Sequence, residues 1–383
     1  MRTDYTIGVE EEYQLVDPDT GALRSRATDV LSIDWSDELR PEMHENTVEI
    51  GTPVCTGLVE LREELGRQRF QTATAAAAEG LEIVAAGLHP YSRWEGHGIH
   101  DKERYEAIAE RHDRVARQVQ IFGMHIHVGI PERVDRIALM GRVKAFSPHL
   151  VALAASSPFV EGEDTGFASY RSILWRLYPY MGMPPHFENR HDYEDFVELL
   201  LRSGAIRDRA SLYWSVRPHS VYPTLEFRAA DVCPRTDDAA VLAELTRLVV
   251  AGVAESGLEI PGGRRGSLAE GAWQEILTEN EWLTGRYGLD AKLTDPTEPS
   301  GIVGVRPAIR SLLDALAPVA REFDALPVLG RVEELLDRGN GADRMRRVYR
   351  ERQSWDAVVA WLVRETRLGT GFDRRRTQRA GDW

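Results

Sequence analysis

Three consecutive glutamates, Glu10, Glu11 and Glu12, sit in the run IGVEEEY (Ile7–Tyr13) near the start of the chain. In an extended strand successive side chains alternate faces, so Glu10 and Glu12 share one side while Val9, Glu11 and Tyr13 share the other. Like charges that close raise each other's pKa, and the pair calls for water, basic partners or a cation between its oxygens. A solvated acidic edge strand meets the same description, because strand charges protect sheet edges. The recurrence of the pattern decides between the two. Pro41–Pro53 reads PEMHENTVEIGTP; as one strand ending at Gly51 it places Glu45, Thr47 and Glu49 on a face with Met43, turns Val48 and Ile50 to the core, and lets Glu42 join the carboxylates only through a bulge or bend. In Gln120–Ile130, His125 and His127 share a face opposite Met124, Ile126 and Val128, and an H-x-H pair suits a metal or a phosphate oxygen. In Thr224–Asp231, Thr224, Glu226 and Arg228 share a face opposite Leu225 and Phe227. Arg171 lies in a Gly-, Pro- and aromatic-rich stretch, Ser156–Arg190, of the kind that lines or caps a pocket. Its fork suits a substrate carboxylate, a surface ion pair being the plain alternative.

Four strands with one polar and one apolar face require a sheet whose apolar side is covered by helices and whose polar side is a cleft. Carboxylates repeated on that side call for divalent cations, and oxygen donors with an occasional imidazole suit magnesium or manganese better than zinc. Such a cleft suits phosphate chemistry. Apolar spacing predicts helices over Leu58–Ala86, Lys102–Arg117, Leu139–Ala155, His191–Ser203 and Asp237–Gly257. Beyond a basic turn at Pro261–Ser267, read as a connector, and a linker at Asp290–Gly304, further helices are expected at Arg306–Ala325, Val328–Arg338 and Ala342–Arg367. Residues 1–370 form one expected domain with a helical layer from about residue 236, and 371–383 a basic, disordered tail.

The formal net charge of −14 argues against general affinity for nucleic acid or an anionic membrane, while leaving room for a locally basic pocket. No run of roughly 18 apolar residues and no signal peptide is visible, so the cytoplasm is the expected location. Cys55 and Cys233 are far apart and in no C-x-x-C arrangement, which argues against a disulfide framework or a thiolate zinc site. The phosphate loop G-x-x-x-x-G-K-[ST] and the dinucleotide fingerprint G-x-G-x-x-G are both missing from the sequence.

Ile7–Tyr13, Pro41–Pro53, Phe122–Gly129 (FGMHIHVG), Arg217-Pro218 and Leu225–Arg228 (LEFR), in that order, resemble the glutamate-cysteine ligase type 2 family of carboxylate-amine ligases, and Glu279–Gly288 (ENEWLTGRYG) is similar to a helical motif of that family. The resemblance runs from about Thr6 to about Arg367. It implies an α+β, glutamine synthetase-like catalytic domain: a curved, mostly antiparallel sheet with helices on its convex face, binding ATP and Mg2+ or Mn2+ on the other. By the same resemblance Glu10, Glu12, Glu49, His125 and Glu226 are metal ligands, with Glu42 or Glu45 as a further candidate. The implied reaction is ATP-dependent amide formation through an acyl phosphate, with glutamate as the carboxylate and cysteine or an alkylamine as the amine. Arg228 would stabilise the transferring phosphoryl group, Glu45 would serve as a catalytic carboxylate, and Arg171, Arg217 and His127 would contact substrate or phosphate. Small-molecule substrates and at most a second copy of the chain are the expected partners. A guanidino kinase-like phosphotransferase, a metal-dependent amide hydrolase and a non-catalytic metal-binding regulator are the rival readings.

Overall fold

The computed structural model describes residues 4–33 and 38–370; the tail expected from 371 lies outside them. Strand β1 (Ile7–Val16) carries the three glutamates, and the chain continues through β2 (Leu39–Pro41), β3 (Thr47–Gly51), β4 (Glu82–Val84) and β5 (Gly123–Gly129). A small ribbon, β6 (Phe159–Val160) with β7 (Glu163–Asp164), precedes β8 (Val216–Pro218) and β9 (Thr224–Asp231), and a second ribbon pairs β10 (Lys292–Thr294) with β11 (Ile302–Gly304). The main sheet has the order β2-β3-β1-β5-β9-β8, with β4 also on β1, and every pairing in it is antiparallel. The class is therefore α+β, as expected.

Period-two alternation explains the layering. Ile7, Val9, Tyr13, Val48, Ile50, Met124, Ile126, Val128, Leu225 and Phe227 are all buried in one apolar cluster that extends to Leu362 in the last helix. The helices Leu58–Ala78 and Thr236–Ser256 pack on this side of the sheet and on each other. Each such large apolar side chain contributes ~1.5–3 kcal/mol on burial, which fixes the register that turns the polar residues the other way. The helical run Arg136–Ala154 is, by length and composition, apolar enough to cross a membrane, and most of it is buried within the protein.

Five elements depart from the sequence reading. The helix expected to reach Ala86 stops at Ala78, where Gly80 takes φ +73° and the N–H groups of Gly80 and Leu81 return to the carbonyls of Ala77 and Ala76. This left-handed glycine cap releases the chain into β4, which pattern reading missed. Arg40–Pro53 is not one strand but a hairpin of β2 and β3, with Arg40 opposite Glu49. Positive φ at Asp113 and Gln353 divides two predicted helices into Glu103–His112 with Arg114–Gln118 and Gly341–Arg352 with Trp355–Arg367. The linker at 290–304 contains the β10–β11 ribbon.

Candidate active site

Register assembles the polar face. Glu12 pairs with Glu49, Glu10 with His125, and His127 with Glu226, which in turn pairs with Arg217. Between Met124 and Ile126 the β5–β9 register shifts, so that Arg228 and Ala229 bulge where the ladder would place one residue. The result is a cavity of about 480 Å³ over the sheet. Its lining includes Glu10, Glu12, Glu42, Glu49, His125, Arg171, Arg217, Glu226 and Arg228. Two predicted residues stand elsewhere. Glu45 leaves the cavity because the β2–β3 connection reverses its direction: its carboxylate lies against Gly98, and its backbone is held by Gly98 and Ala27. The bend that carries Glu42 inward carries Glu45 outward. His127 stands just behind the lining, its Nε2 3.6 Å from a Glu10 oxygen and its Nδ1 3.3 Å from Thr224 Oγ1.

The charges segregate. Glu226 is gripped by Arg217, whose Nε donates at 2.7 Å and Nη2 at 3.1 Å, and by Arg228. Burial alone would raise the Glu226 carboxyl, but these two guanidinium groups hold it well below the ordinary range. Arg217 also donates to the Ala210 and Leu212 carbonyls, so its fork braces Glu226, whereas the sequence reading gave it a ligand. On the β1–β3 side the balance reverses. Glu12 accepts from Gly123 N–H at 2.5 Å, yet burial and the like charge of Glu42 push its pKa up to about 7. Glu49 is pushed well above the ordinary range by burial and then by Glu10, Glu42 and Glu12, with Arg40 opposing, and burial raises Glu42. Glu10 is held below its usual range by the His125 and His127 rings beside it, which outweigh the effect of burial.

His125 Nδ1 lies 3.2 Å from Glu10 and its Nε2 3.8 Å from Glu12. Burial and the neighbouring Arg228 push the ring down to about 4, so it is neutral at pH 7. With Nδ1–H donating to Glu10, Nε2 keeps its lone pair beside Glu12, the usual arrangement of a ligating imidazole. Glu10, His127 and Glu226 offer donor atoms all within 4.8 Å of one another. Oxygen donors about 2.1 Å from magnesium stand up to roughly 4.2 Å apart, so this triad fits an ion with little adjustment. The donor set therefore accepts the implied divalent metal, and the raised carboxylates opposite it require added positive charge to ionise together.

Sequence reading missed part of the lining. Arg40 became legible only once β2 was recognised as the partner of β3. Lys102, Arg104 and Tyr105 come from the start of the Glu103–His112 helix and Tyr213 from a loop with no periodicity to mark it, whereas Trp175, at the end of the short helix Arg171–Trp175, and the loop residues Tyr178 and Met181 lie in the Ser156–Arg190 stretch already expected to line or cap a pocket. His219, in the β8–β9 turn, lines both this cavity and a neighbouring one of about 790 Å³ that carries Arg133, Arg136, Arg190 and Arg209. The connector arginines Arg264 and Arg265 pair with Glu298 and Glu270 and line neither of these two cavities. The run at 279–288 serves packing: Asn280 donates to the Gly262 and Thr294 carbonyls, and Glu281 accepts from Ser147, Ser215 and Arg176.

Comparison with known proteins bears on the family and the fold. The family model described as glutamate-cysteine ligase family 2 matches residues 6–380. A Herpetosiphon aurantiacus protein provisionally named glutamate–cysteine ligase 2 is 35% identical, the match covering 97% of this chain and 95% of that one. One from Sorangium cellulosum, with the same provisional name, is 38% identical over 95% of this chain and 97% of its own. Among solved structures, a glutamate–cysteine ligase from Francisella tularensis in complex with AMP gives a TM-score of 0.71 at 12% identity, covering 99% of this chain and 93% of that one. A bifunctional glutathione synthetase from Pasteurella multocida gives 0.70 at 15% identity, covering 96% of this chain and 52% of that one. At these identities the structural likeness is one of fold.

Proposed function

This chain belongs to glutamate-cysteine ligase family 2, as an ATP-dependent, amide-forming carboxylate-amine ligase, and from that premise we propose that it phosphorylates the carboxylate of a small amino acid, glutamate first among candidates, and passes the acyl group to an amine. The observation that carries this reading is one cavity lined both by the carboxylates Glu10, Glu12, Glu42 and Glu49 and by the guanidinium groups of Arg171 and Arg228. Phosphoryl transfer asks chiefly for alignment and charge stabilisation, and such a cavity supplies both.

Glu10, His127 and Glu226 would hold one Mg2+ or Mn2+, and Glu12 and Glu49 with His125 Nε2 a second. Bound there, the metals would offset the negative charge of the ATP phosphates. Arg217 keeps Glu226 in place, and Arg228, whose Nε has no hydrogen-bond partner among the described residues, faces the transferring phosphoryl group. Arg171 takes an oxyanion of the substrate. Attack of the amine on the acyl phosphate forms the C–N bond, expels phosphate and leaves one proton to be removed. With Glu45 outside the cavity, that proton goes to Glu42, whose charge acts on both Tyr105 and Tyr178 and whose raised pKa suits a base. The wall of Tyr105, Trp175, Tyr178, Met181 and Tyr213 shields the acyl phosphate from water. The outer part of the nucleotide would occupy the arginine-lined cavity beyond His219.

The single domain from 1 to 370, a cytoplasmic location and independence of nucleic acid and membrane belong to the same proposal. The test is incubation with ATP, magnesium, glutamate and a panel of amines that includes cysteine, with ADP measured and products weighed by mass spectrometry. An amide formed with stoichiometric ADP and phosphate supports it. A stable phosphorylated product without amide, or ATP-independent cleavage of a preformed amide, would replace it by the phosphotransferase or the hydrolase.

A further inference from the structure

Behind the cavity wall lies a buried polar cluster that the reaction scheme does not use. Asp231, the last residue of β9, is 1% exposed. Its Oδ2 accepts from Ser156 N–H at 2.8 Å and from Ser157 Oγ–H at 2.7 Å, and its Oδ1 accepts from Ser169 Oγ–H at 2.8 Å. The same Oδ1 lies 3.8 Å from Arg171 Nη1. Two chain segments meet here, joined by a parallel bridge between Ser157 and Ser169. The serines then reach on toward the arginine: Ser157 Oγ accepts from Arg171 N–H at 3.1 Å, and Ser169 Oγ from Ser172 N–H at 3.3 Å. The carboxylate thus fixes both the backbone that launches Arg171 and the charge beside its guanidinium.

Arg171 is 2% exposed and lies over the Trp175 ring. Its Nη1 and Nη2 donate to the Ala229 and Arg228 carbonyls at 3.4 and 3.2 Å, while Nε has no hydrogen-bond partner among the described residues. Two glycines leave room for this pair. A Cβ on Gly87 would stand 2.6 Å from Asp231 Cγ, and one on Gly123 would stand 2.4 Å from Arg171 Nη2. Neither glycine has a positive φ, so close approach and not backbone freedom is what each position requires. A buried guanidinium without its counter-charge is costly, and a binding group is useful only when held within about 0.5 Å of its working position.

Building on the ligase reading, we propose that Asp231 is a positioning residue. With Ser157 and Ser169 it locks Arg171 so that the unused Nε side receives one oxyanion of a substrate, either the carboxylate of the amino acid or a phosphoryl group of ATP. Asp231 itself touches neither.

The experiment is a double-mutant cycle read by binding: calorimetric titration of glutamate, and separately of ATP with magnesium, into wild type, Arg171→Gln, Asp231→Asn and the double variant. Arg171→Gln and Asp231→Asn should weaken the same one of the two ligands by at least roughly tenfold, and the double variant should be no worse than Arg171→Gln. Ser169→Ala should weaken that ligand in the same direction but less, and keeps the test open should Asp231→Asn fail to fold. Weaker glutamate would identify the carboxylate as the oxyanion, and weaker ATP the phosphoryl group. Additive losses, or a folded Asp231→Asn that binds both ligands as wild type does, would overturn the proposal. Because binding is the readout, the cycle can succeed even if no amine is ligated, which would count against the reaction alone.

Discussion

The two faces of β1 put the same residue type in opposite circumstances one position apart. Glu11 points into the helical side and is 0% exposed, as is its partner Arg69 from the Leu58–Ala78 helix. Arg69 donates Nε at 2.9 Å and Nη2 at 2.5 Å to the two oxygens of Glu11, Tyr13 adds its hydroxyl at 2.5 Å, and the remaining guanidinium donors go to the Pro234 and Cys233 carbonyls. That pair is closed: every charge has its counterpart inside the protein. Glu10 and Glu12, on the other face, border a cavity, and the Glu12 carboxyl is pushed up toward neutrality. A closed pair contributes to structure, whereas an open one stores a demand for charge that a metal and a phosphate can meet.

The largest effects should come from breaking the closed pair. Glu11→Gln or Arg69→Met leaves one buried charge unmatched and should cost ~3–5 kcal/mol of stability. Replacing both together should recover much of that loss. Urea unfolding of the three variants measures it, and single variants as stable as wild type would remove the distinction between the faces. On the open face the signs reverse. Glu12→Gln should lower ATP-dependent turnover by roughly 100-fold or more, since even outer partners of a metal ligand cost ~10–100-fold. Its unfolding midpoint without divalent cation should hold or rise, because one repelling carboxylate is gone. Wild-type turnover in Glu12→Gln would refute the assignment.

That contrast was half legible in the sequence. Alternation separated Glu10 and Glu12 from Glu11, and it placed His125, Glu226 and Arg228 on the cavity side, because a two-residue period survives in any strand with one buried face. It gave no sign of Arg69, which meets Glu11 only through the docking of a helix 58 residues away. Glu45 is misplaced when the PEMHENTV run is read as one strand. A reversal between β2 and β3 carries no glycine or Asn-Gly pair to announce it, and a hairpin inverts the facing of every residue in the connection. Tyr213 escaped for a simpler reason: irregular backbone has no period to read.

The closed side also holds neutral imidazoles, which give a smaller and pH-dependent signature. Burial pushes His89 and His149 down to about 4 from 6.5, each with a ring nitrogen on a backbone carbonyl, Gly21 at 2.9 Å and Pro261 at 2.7 Å. Between those two pKa values the unfolded chain carries the proton and the fold does not, so stability rises with pH there. The contribution is whole above about pH 6.5 and is lost as pH falls toward 4. Wild type and His149→Gln, unfolded in urea at several pH values across this window, should differ in slope by about one proton, ~1.4 kcal/mol per pH unit. A comparison by difference cancels the cavity carboxylates. Identical slopes would mean that His149 is charged in the fold.

The finest test of the two faces lies on β5, where His125 and Ile126 are neighbours in sequence and opposites in direction. Ile126 is fully buried among the apolar residues, and His125 lines the cavity between Glu10 and Glu12. Ile126→Val removes one methylene from a packed core and should cost about 1 kcal/mol of stability without changing the affinity for ATP with magnesium. His125→Ala should act the other way, because losing Nδ1–H deprives Glu10 of a donor and losing Nε2 deprives the cavity of a nitrogen ligand. Calorimetric titration and urea unfolding, applied to both variants, give four numbers. A His125→Ala protein that binds the nucleotide as tightly as Ile126→Val would make that histidine a structural residue, and the boundary between the faces would then run between Glu10 and His125, where the strands pair.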